Sequence, residues 1–390
     1  MRIGINASFV RKPNTGIGQV SINFLKKLIE NHESGIMNHE FVLYLEEDLP
    51  EDIKLPENFK KEIFLPFWKR DDLIRKIWWE KMLLPKKVTQ GKCDVLVSLY
   101  HSPTILSDAT FHIMLVHDII PELFPEYINN CRKKKYWKLT KKAILEADKI
   151  MAVSSRTEKD LIQHLGVEPE RISVNYPDAD EIYKKEVFEE KSKKVLGKYG
   201  LKSGYILGGG GLEVRKNTER LIRAYHKLLE SNKRTHFIKD LPKLVISGKL
   251  MPELKPLVTD VEKLVKELNL TGQVKLLDFV PQEDLPVLYK NALVFVYPSL
   301  YEGFGLPVLE AMNQGIPVIT SKNSSLPEVG GDSVLYCHPE DIQDIAMVMR
   351  NVILHGHLRD ELRRRGKDRA QKFSWDNFVE KLFNVIENLK

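Results

Sequence analysis

The chain has 390 residues, 43% of them hydrophobic and 29% charged, an ordinary soluble composition with room for about two or three separately cored domains. No apolar run approaches the roughly 18 residues that cross a bilayer, which excludes a helical membrane span, and MRIGINASF passes straight into a strand-like run with no secretory signal expected. The net charge of +6 is unevenly spread, and Cys93, Cys131 and Cys337 lack metal or redox spacing, as expected in a reducing cytoplasm without structural disulfides.

Short β-rich runs alternate with helical patterns from end to end, the signature of parallel sheets carrying helices on their faces. In the first half, strands are predicted at residues 2–7, 94–99, 112–116, 149–153 and 172–175. Gly16 and Gly18 form a glycine loop after the first of these, although a Gly-X-Gly alone is equally a plain turn. Two stretches, 60–87 and 131–142, mix Lys and Arg with Trp, Tyr and Phe. They read either as surfaces that dock on an anionic membrane or as solvated helix faces whose tryptophans point inward. Acidic residues interrupt both and no recognition motif accompanies them, so nucleic acid is not an expected partner. The run IMLVH closes on His117, followed by Asp118, at a strand end where such sheets bind ligands.

The charged segment 178–198 has no strand pattern and reads as a connector, with the domain break near residue 177. Beyond it, strands are predicted at 205–208, 243–247, 274–277, 294–297, 317–320 and 333–336, enough for a second doubly wound sheet. At the end, Phe378, Leu382, Val385, Ile386 and Leu389 recur at helical spacing. Sheets of this kind take ligands at the carboxyl ends of their strands. Two such domains facing each other would make a cleft, with the donor of a reaction on one side and the acceptor on the other.

The chemistry concentrates in the second half. The run Gly208 to Gly211 lacks the spacing of a dinucleotide fingerprint and reads instead as a place where a sugar or phosphate approaches the backbone closely. Arg215 and Lys216 follow on the loop leaving that strand, ahead of Asn217, a good helix cap, and a helix with an apolar face at Leu221, Ile222, Tyr225, Leu228 and Leu229. Ser247-Gly248-Lys249 and Asp278-Phe279-Val280 leave the next two strands. Glu302 then precedes the turn Gly303-Phe304-Gly305, and Leu306-Pro307 opens a helix carrying Glu310. The N–H groups of Phe304, Gly305 and Leu306 at that helix start would favour an anion, and the flanking carboxylates suit hydroxyl groups. Together they suggest a nucleotide-sugar, although a Glu in the first turns of a helix also simply opposes its dipole.

Glu302 and Glu310, separated by seven residues, with GFGLPVLEAM between and around them and GIPVIT and LPEVGGD after, resemble the signature of the retaining glycosyltransferases of family 4. The resemblance implies the GT-B fold, two Rossmann-like doubly wound α/β domains. Residues 1–177 would form the acceptor side, completed by a helix at 374–390, and 199–373 the nucleotide-sugar side. It implies that Lys216, with Arg215, pairs with the donor diphosphate; the family's upstream arginine position is Gly209 or Gly210 here. It further places Gly16 and Gly18 near the phosphates, His117 on the transferred sugar, Val280 at the base through its backbone, and Lys249 within reach of the donor. Glu302 would hold sugar hydroxyls and Glu310 the ribose. Asp178 and Asp180 resemble the metal-binding pair of the other large glycosyltransferase fold, but in the connector this is read as coincidence, and neither a catalytic metal nor a cofactor is expected. LVISGKL with YEGFGLPVLEAM favours GDP-mannose over UDP-glucose or UDP-N-acetylglucosamine, with a saccharide or lipid-linked acceptor. The reading from another class is a non-catalytic nucleotide-sugar binder. Within enzymes, a phosphorylase lacks its pyridoxal-phosphate lysine context here.

Overall fold

EFVLYL and ALVFVY are apolar at consecutive positions, and such runs are stable in a parallel sheet only where helices cover both faces. The computed structural model describes residues 1–33, 39–67, 72–107 and 109–389, and the chain divides into two units, Met1–Asp178 with Ser374–Lys390, and Ala179–Phe373.

The first unit holds β1 (Arg2–Asn6), β2 (Glu40–Leu45), β3 (Phe59–Ile63), β4 (Val95–Ser98), β5 (Phe111–Val116), β6 (Lys149–Ala152) and β7 (Ile172–Val174). They form one parallel sheet in the order β3-β2-β1-β4-β5-β6-β7, with Ile3 of β1 opposite both Phe41 and Val95. Two of these strands, β2 and β3, were not expected. The sequence of β3, FKKEI, leaves four of five residues exposed, as befits a charged edge strand, and its lysines hide it within a basic stretch. Farther along that stretch Trp79 is buried, stacked on Phe64 at 5.0 Å and donating to its carbonyl at 2.8 Å, whereas Trp78 is 44% exposed. Residues 68–71 of the same stretch lie outside the described residues. The helix Trp375–Glu387 packs on the helix Gly16–Glu33 through the Phe24 and Phe378 rings and a Lys27–Asp376 ion pair at 2.9 Å. Asn175 adds a hydrogen bond from its amide to the Phe378 carbonyl at 2.9 Å.

The second unit holds β8 (Tyr205–Gly208), β9 (Leu244–Ile246), β10 (Val274–Leu276), β11 (Ala292–Tyr297), β12 (Val318–Ser321) and β13 (Leu335–Cys337). Their order, β10-β9-β8-β11-β12-β13, is again parallel throughout. Leu221, Ile222, Tyr225 and Leu228 bury the inner face of the helix Thr218–Thr235 in the core of this unit. The expected connector is structured: Glu189–Tyr199 is a helix of the second unit, and the Gln314 amide donates to the Tyr183 carbonyl at 2.6 Å. Asp180 accepts the Ile182 N–H at 2.9 Å and caps the turn Glu181–Tyr183. In each sheet the strand order reverses beside its first strand, between β1 and β4 and between β8 and β11. The loops at the carboxyl ends there are where a doubly wound sheet offers a crevice.

Candidate active site

Gly209 and Gly210, in the loop after β8, leave little room for a side chain. A Cβ on Gly209 would lie 2.4 Å from Ser247 Oγ, and one on Gly210, at φ +87°, would lie 2.7 Å from the Tyr297 ring. The chain then turns through Val214–Lys216 and brings two cations to the end of β11. Asn217 occupies the start of the next helix but does not cap it. Its φ of +63° turns the side chain away from the helix, and its amide donates to the carbonyls of Pro298 at 2.9 Å and Pro339 at 2.6 Å. It therefore ties the cation loop to the loop after β11.

Glu302 stands at the centre of this assembly and is buried. One carboxylate oxygen accepts from Tyr297 Oη at 2.7 Å and Ser299 Oγ at 2.6 Å and lies 2.9 Å from Lys216 Nζ; the other accepts from Arg215 at 2.9 Å and Lys216 at 3.0 Å. Lys216 also donates to Tyr297 Oη at 2.6 Å, and Arg215 pairs with Glu213 at 2.7 Å. Burial would raise the Glu302 carboxyl, but the charges of Arg215 and Lys216 outweigh it and hold the pKa at about 2. Burial, then the neighbouring Arg215 charge, lowers Lys216 from the usual ammonium range. The result is a pair of cations fixed in place by a carboxylate that is itself saturated, leaving it little capacity for a sugar hydroxyl. Tyr297, Ser299 and Glu213 were not anticipated as parts of this site. Tyr297 and Ser299 sit where β11 ends, which is the one signal a sequence offers for them.

The glycine turn is held from beneath. Ser325 Oγ lies 2.9 Å from the Glu302 carbonyl and 2.6 Å from that of Phe304, and the Glu302 N–H donates to Ser324 at 2.9 Å. Phe304 is buried against Phe373, and Gly305, at φ +120°, opens the helix Leu306–Asn313 with Pro307 in its first turn. Glu310 on this helix accepts from Tyr289 at 3.0 Å, and burial pushes its carboxyl up to about 7, opposed by that hydrogen bond and aided by the Asp180 charge. Lys249 is exposed after β9 and Val280 is buried after β10. Asp278, at φ +55°, joins those two loops, its carboxylate accepting the Leu250 N–H at 2.7 Å and its carbonyl that of Gly248 at 3.0 Å.

The first unit carries the remaining positions. Gly18 is compulsory, because a Cβ there would lie 1.9 Å from the Lys12 carbonyl oxygen; Gly16 has open space around it. His117 is buried at the end of β5, and burial lowers its imidazole pKa. Its Nε2 lies 2.9 Å from the Leu99 carbonyl, so Nε2 must carry the proton and Nδ1 of the neutral ring is the acceptor. Asp118 holds nearby backbone, its carboxylate accepting the Ile120 N–H at 2.9 Å.

Comparison with known proteins agrees with this two-unit fold. Residues 16–180 match the model of the family described as Glycosyltransferase Family 4, and residues 189–369 match that of Glycosyl transferases group 1. The chain is 31% identical to the O-antigen chain mannosyltransferase B of Escherichia coli over the full length of both. It is 24% identical to the O-antigen chain mannosyltransferase RfbU of Salmonella typhimurium over 99% of each. Among solved structures, WaaG, a glycosyltransferase involved in lipopolysaccharide biosynthesis, superposes with a TM-score of 0.74 at 17% identity over 99% of each chain. Anabaena HepE in complex with UDP and glucose gives 0.73 at 18% over the whole of both. At these identities the structural likenesses speak for the fold.

Proposed function

The chain belongs to the family 4 glycosyltransferases, and from that premise we propose that it transfers mannose from GDP-mannose to a saccharide or lipid-linked hydroxyl with retention at the anomeric carbon. The observation that carries this reading is the pair of cations, Arg215 and Lys216, fixed by Glu302 where the strand order of the second sheet reverses. In the transfer the bond from the anomeric carbon to the diphosphate breaks as the acceptor oxygen bonds to that carbon on the same face. The acceptor proton passes to a diphosphate oxygen. Negative charge grows on the leaving diphosphate, and preorganised cations in a water-poor site are the largest lever available to a protein there.

Each residue then has a chemical task. Lys216 and Arg215, with the helix start at Phe304, Gly305 and Leu306, receive the diphosphate. Gly209 and Gly210 let it approach the backbone. Glu302 acts on the sugar through the cations and hydroxyls it positions, and Glu310, with Tyr289, takes the ribose diol. Lys249 and the backbone at Val280 border the base. In the first unit, His117 offers Nδ1 as an acceptor for a sugar hydroxyl. The choice of mannose leans on the names of the relatives, and the acceptor would be a surface polysaccharide chain on the same ground.

A thermal-shift panel with GDP-mannose, UDP-glucose, UDP-N-acetylglucosamine, GDP and UDP tests this without an acceptor. A ligand at 100 times its dissociation constant adds about 2.7 kcal/mol of stability. A shift with the guanosine compounds alone is expected. A shift with the uridine compounds alone would replace the donor, and no shift with any of them would remove the cation pair from donor binding.

A further inference from the structure

Six of the thirteen exposed large apolar side chains among the described residues fall between positions 63 and 82, all in the first unit. Such a concentration is not the scatter of single apolar residues that any protein surface shows. The helical stretch Asp72–Gln90 explains how it arises. Its middle turn, Trp79–Leu83, is a π-helix that rotates Trp79 and Glu80 inward. Glu80 is fully buried and accepts from Tyr100 at 2.6 Å and Tyr136 at 2.9 Å, while Lys76 Nζ lies over the Phe9, Tyr100 and Tyr136 rings at 4.8–5.3 Å. Anchored by that cluster, the helix turns Ile74, Trp78 and Met82, spaced four residues apart, to solvent at 41%, 44% and 59% exposure. Phe67, on the segment whose Phe64 packs under Trp79, is 97% exposed.

The neighbouring helix, Cys131–Glu146, supplies the charge. Tyr136 joins it to Glu80, and Trp137, Thr140, Ala143 and Ile144 face the core. Its opposite face presents Lys134, Lys135, Lys138 and Lys142, all exposed and without an ion-pair partner among the described residues. Lys81 adds another exposed cation beside Met82. No helix among the described residues is long and apolar enough to cross a membrane.

We infer that this face, the Trp78–Met82 stripe with the lysine face beside it, docks on an anionic lipid surface. Aromatic and thioether side chains enter the headgroup boundary while unpaired lysines approach the phosphates. A second copy of the chain is the poorer occupant, because it would bring the same lysines and the same net charge of +6 to the contact. The inference deepens the reading above and rests on it in one respect: it selects a lipid-linked acceptor, presented at the surface where the enzyme sits.

Vesicle flotation of the full chain tests it, with phosphatidylcholine alone and with a third of phosphatidylglycerol, at low and high salt. Two variants accompany the wild type, Trp78→Ser with Met82→Ser, and Lys134→Glu with Lys135→Glu and Lys138→Glu, each checked for an unchanged melting midpoint. The wild type should float with the anionic vesicles only, and each cation lost from the surface should weaken partitioning roughly fivefold. The lysine variant should therefore stay at the bottom, and the apolar variant should bind weakly and lose that binding at high salt. Equal flotation with both lipids, no flotation at low salt, or a wild-type dimer that the Trp78 variant makes monomeric would each overturn the inference. The nucleotide panel is read separately on the same proteins. Flotation without any nucleotide shift would sink the donor reading alone, and a nucleotide shift without flotation would sink this one alone.

Discussion

Replacing Glu302 with Gln keeps the shape of the side chain and removes the charge that holds Arg215 and Lys216 in place. In the folded protein the carboxyl sits at about 2 rather than its ordinary 4.5, a difference worth about 3 kcal/mol of native-state interaction at neutral pH. The contribution is fully present above pH 4.5 and is lost as the pH falls toward 2, because the folded state then has to bind the proton it had excluded. Two cations left without their anion in a buried site make the cost no smaller. In a unit of roughly this size, 1 kcal/mol moves the melting midpoint by about 2–4 °C, so Glu302→Gln should lower it by about 6–12 °C at pH 7. Scanning calorimetry at pH 7 and in steps down to pH 3 measures both the drop and its shrinkage. A diphosphate would replace the missing charge, so GDP or UDP should stabilise the variant more than the wild type. Midpoints that agree within about 1 °C at pH 7 would refute the argument that the carboxylate organises the cations.

Three further outcomes are expected. Glu310→Gln should leave stability unchanged near pH 4 and raise it by about 2 kcal/mol at pH 8, since a carboxyl at about 7 in the folded state costs stability as the pH climbs from 4.5 through 7. Partial solvent contact of Glu310 keeps the figure modest, and urea unfolding at the two pH values measures it. Lys216→Ala should cost turnover about 10²–10³ at saturating donor, the loss of one preorganised stabilising group, and near-normal turnover would take Lys216 out of the mechanism. Gly210→Ala should destabilise by about 1–2 kcal/mol from its positive φ alone, with Tyr297 displaced as well, read by calorimetry and by a weakened nucleotide shift.

What could be read from residues alone was whatever repeats or clusters along the chain. Eleven of the strands were visible as short β-rich runs between helical patterns, as was the apolar face of Thr218–Thr235, but the apolar run of β2, EFVLYL, was missed. The edge strand β3 was missed too, because FKKEI pairs on one side only and has one buried residue to betray it. Glu302 and Lys216 each stood out, yet nothing in the sequence says that residues 86 apart share a hydrogen bond and that the first is consumed in holding the second. Asn217 has the side chain of a cap and a backbone that aims it elsewhere, a conformational fact that residue type does not encode. Tyr289 was invisible as a partner of Glu310 for the same reason as Ser325 beneath the glycine turn: both act across sequence distance, through backbone positions that only the packed sheet defines.

The helix Trp375–Glu387 carries a consequence for biosynthesis. Because it packs on Gly16–Glu33, the half of the protein that leaves the ribosome first waits longest for its last piece. Residues 179–373 hold every strand of the second sheet and can close their own core while the Phe24 ring and the Asn175 amide still face water. Completion thus runs in reverse of synthesis, and the nascent first unit spends that interval with an apolar helix face open to chaperones or to another chain.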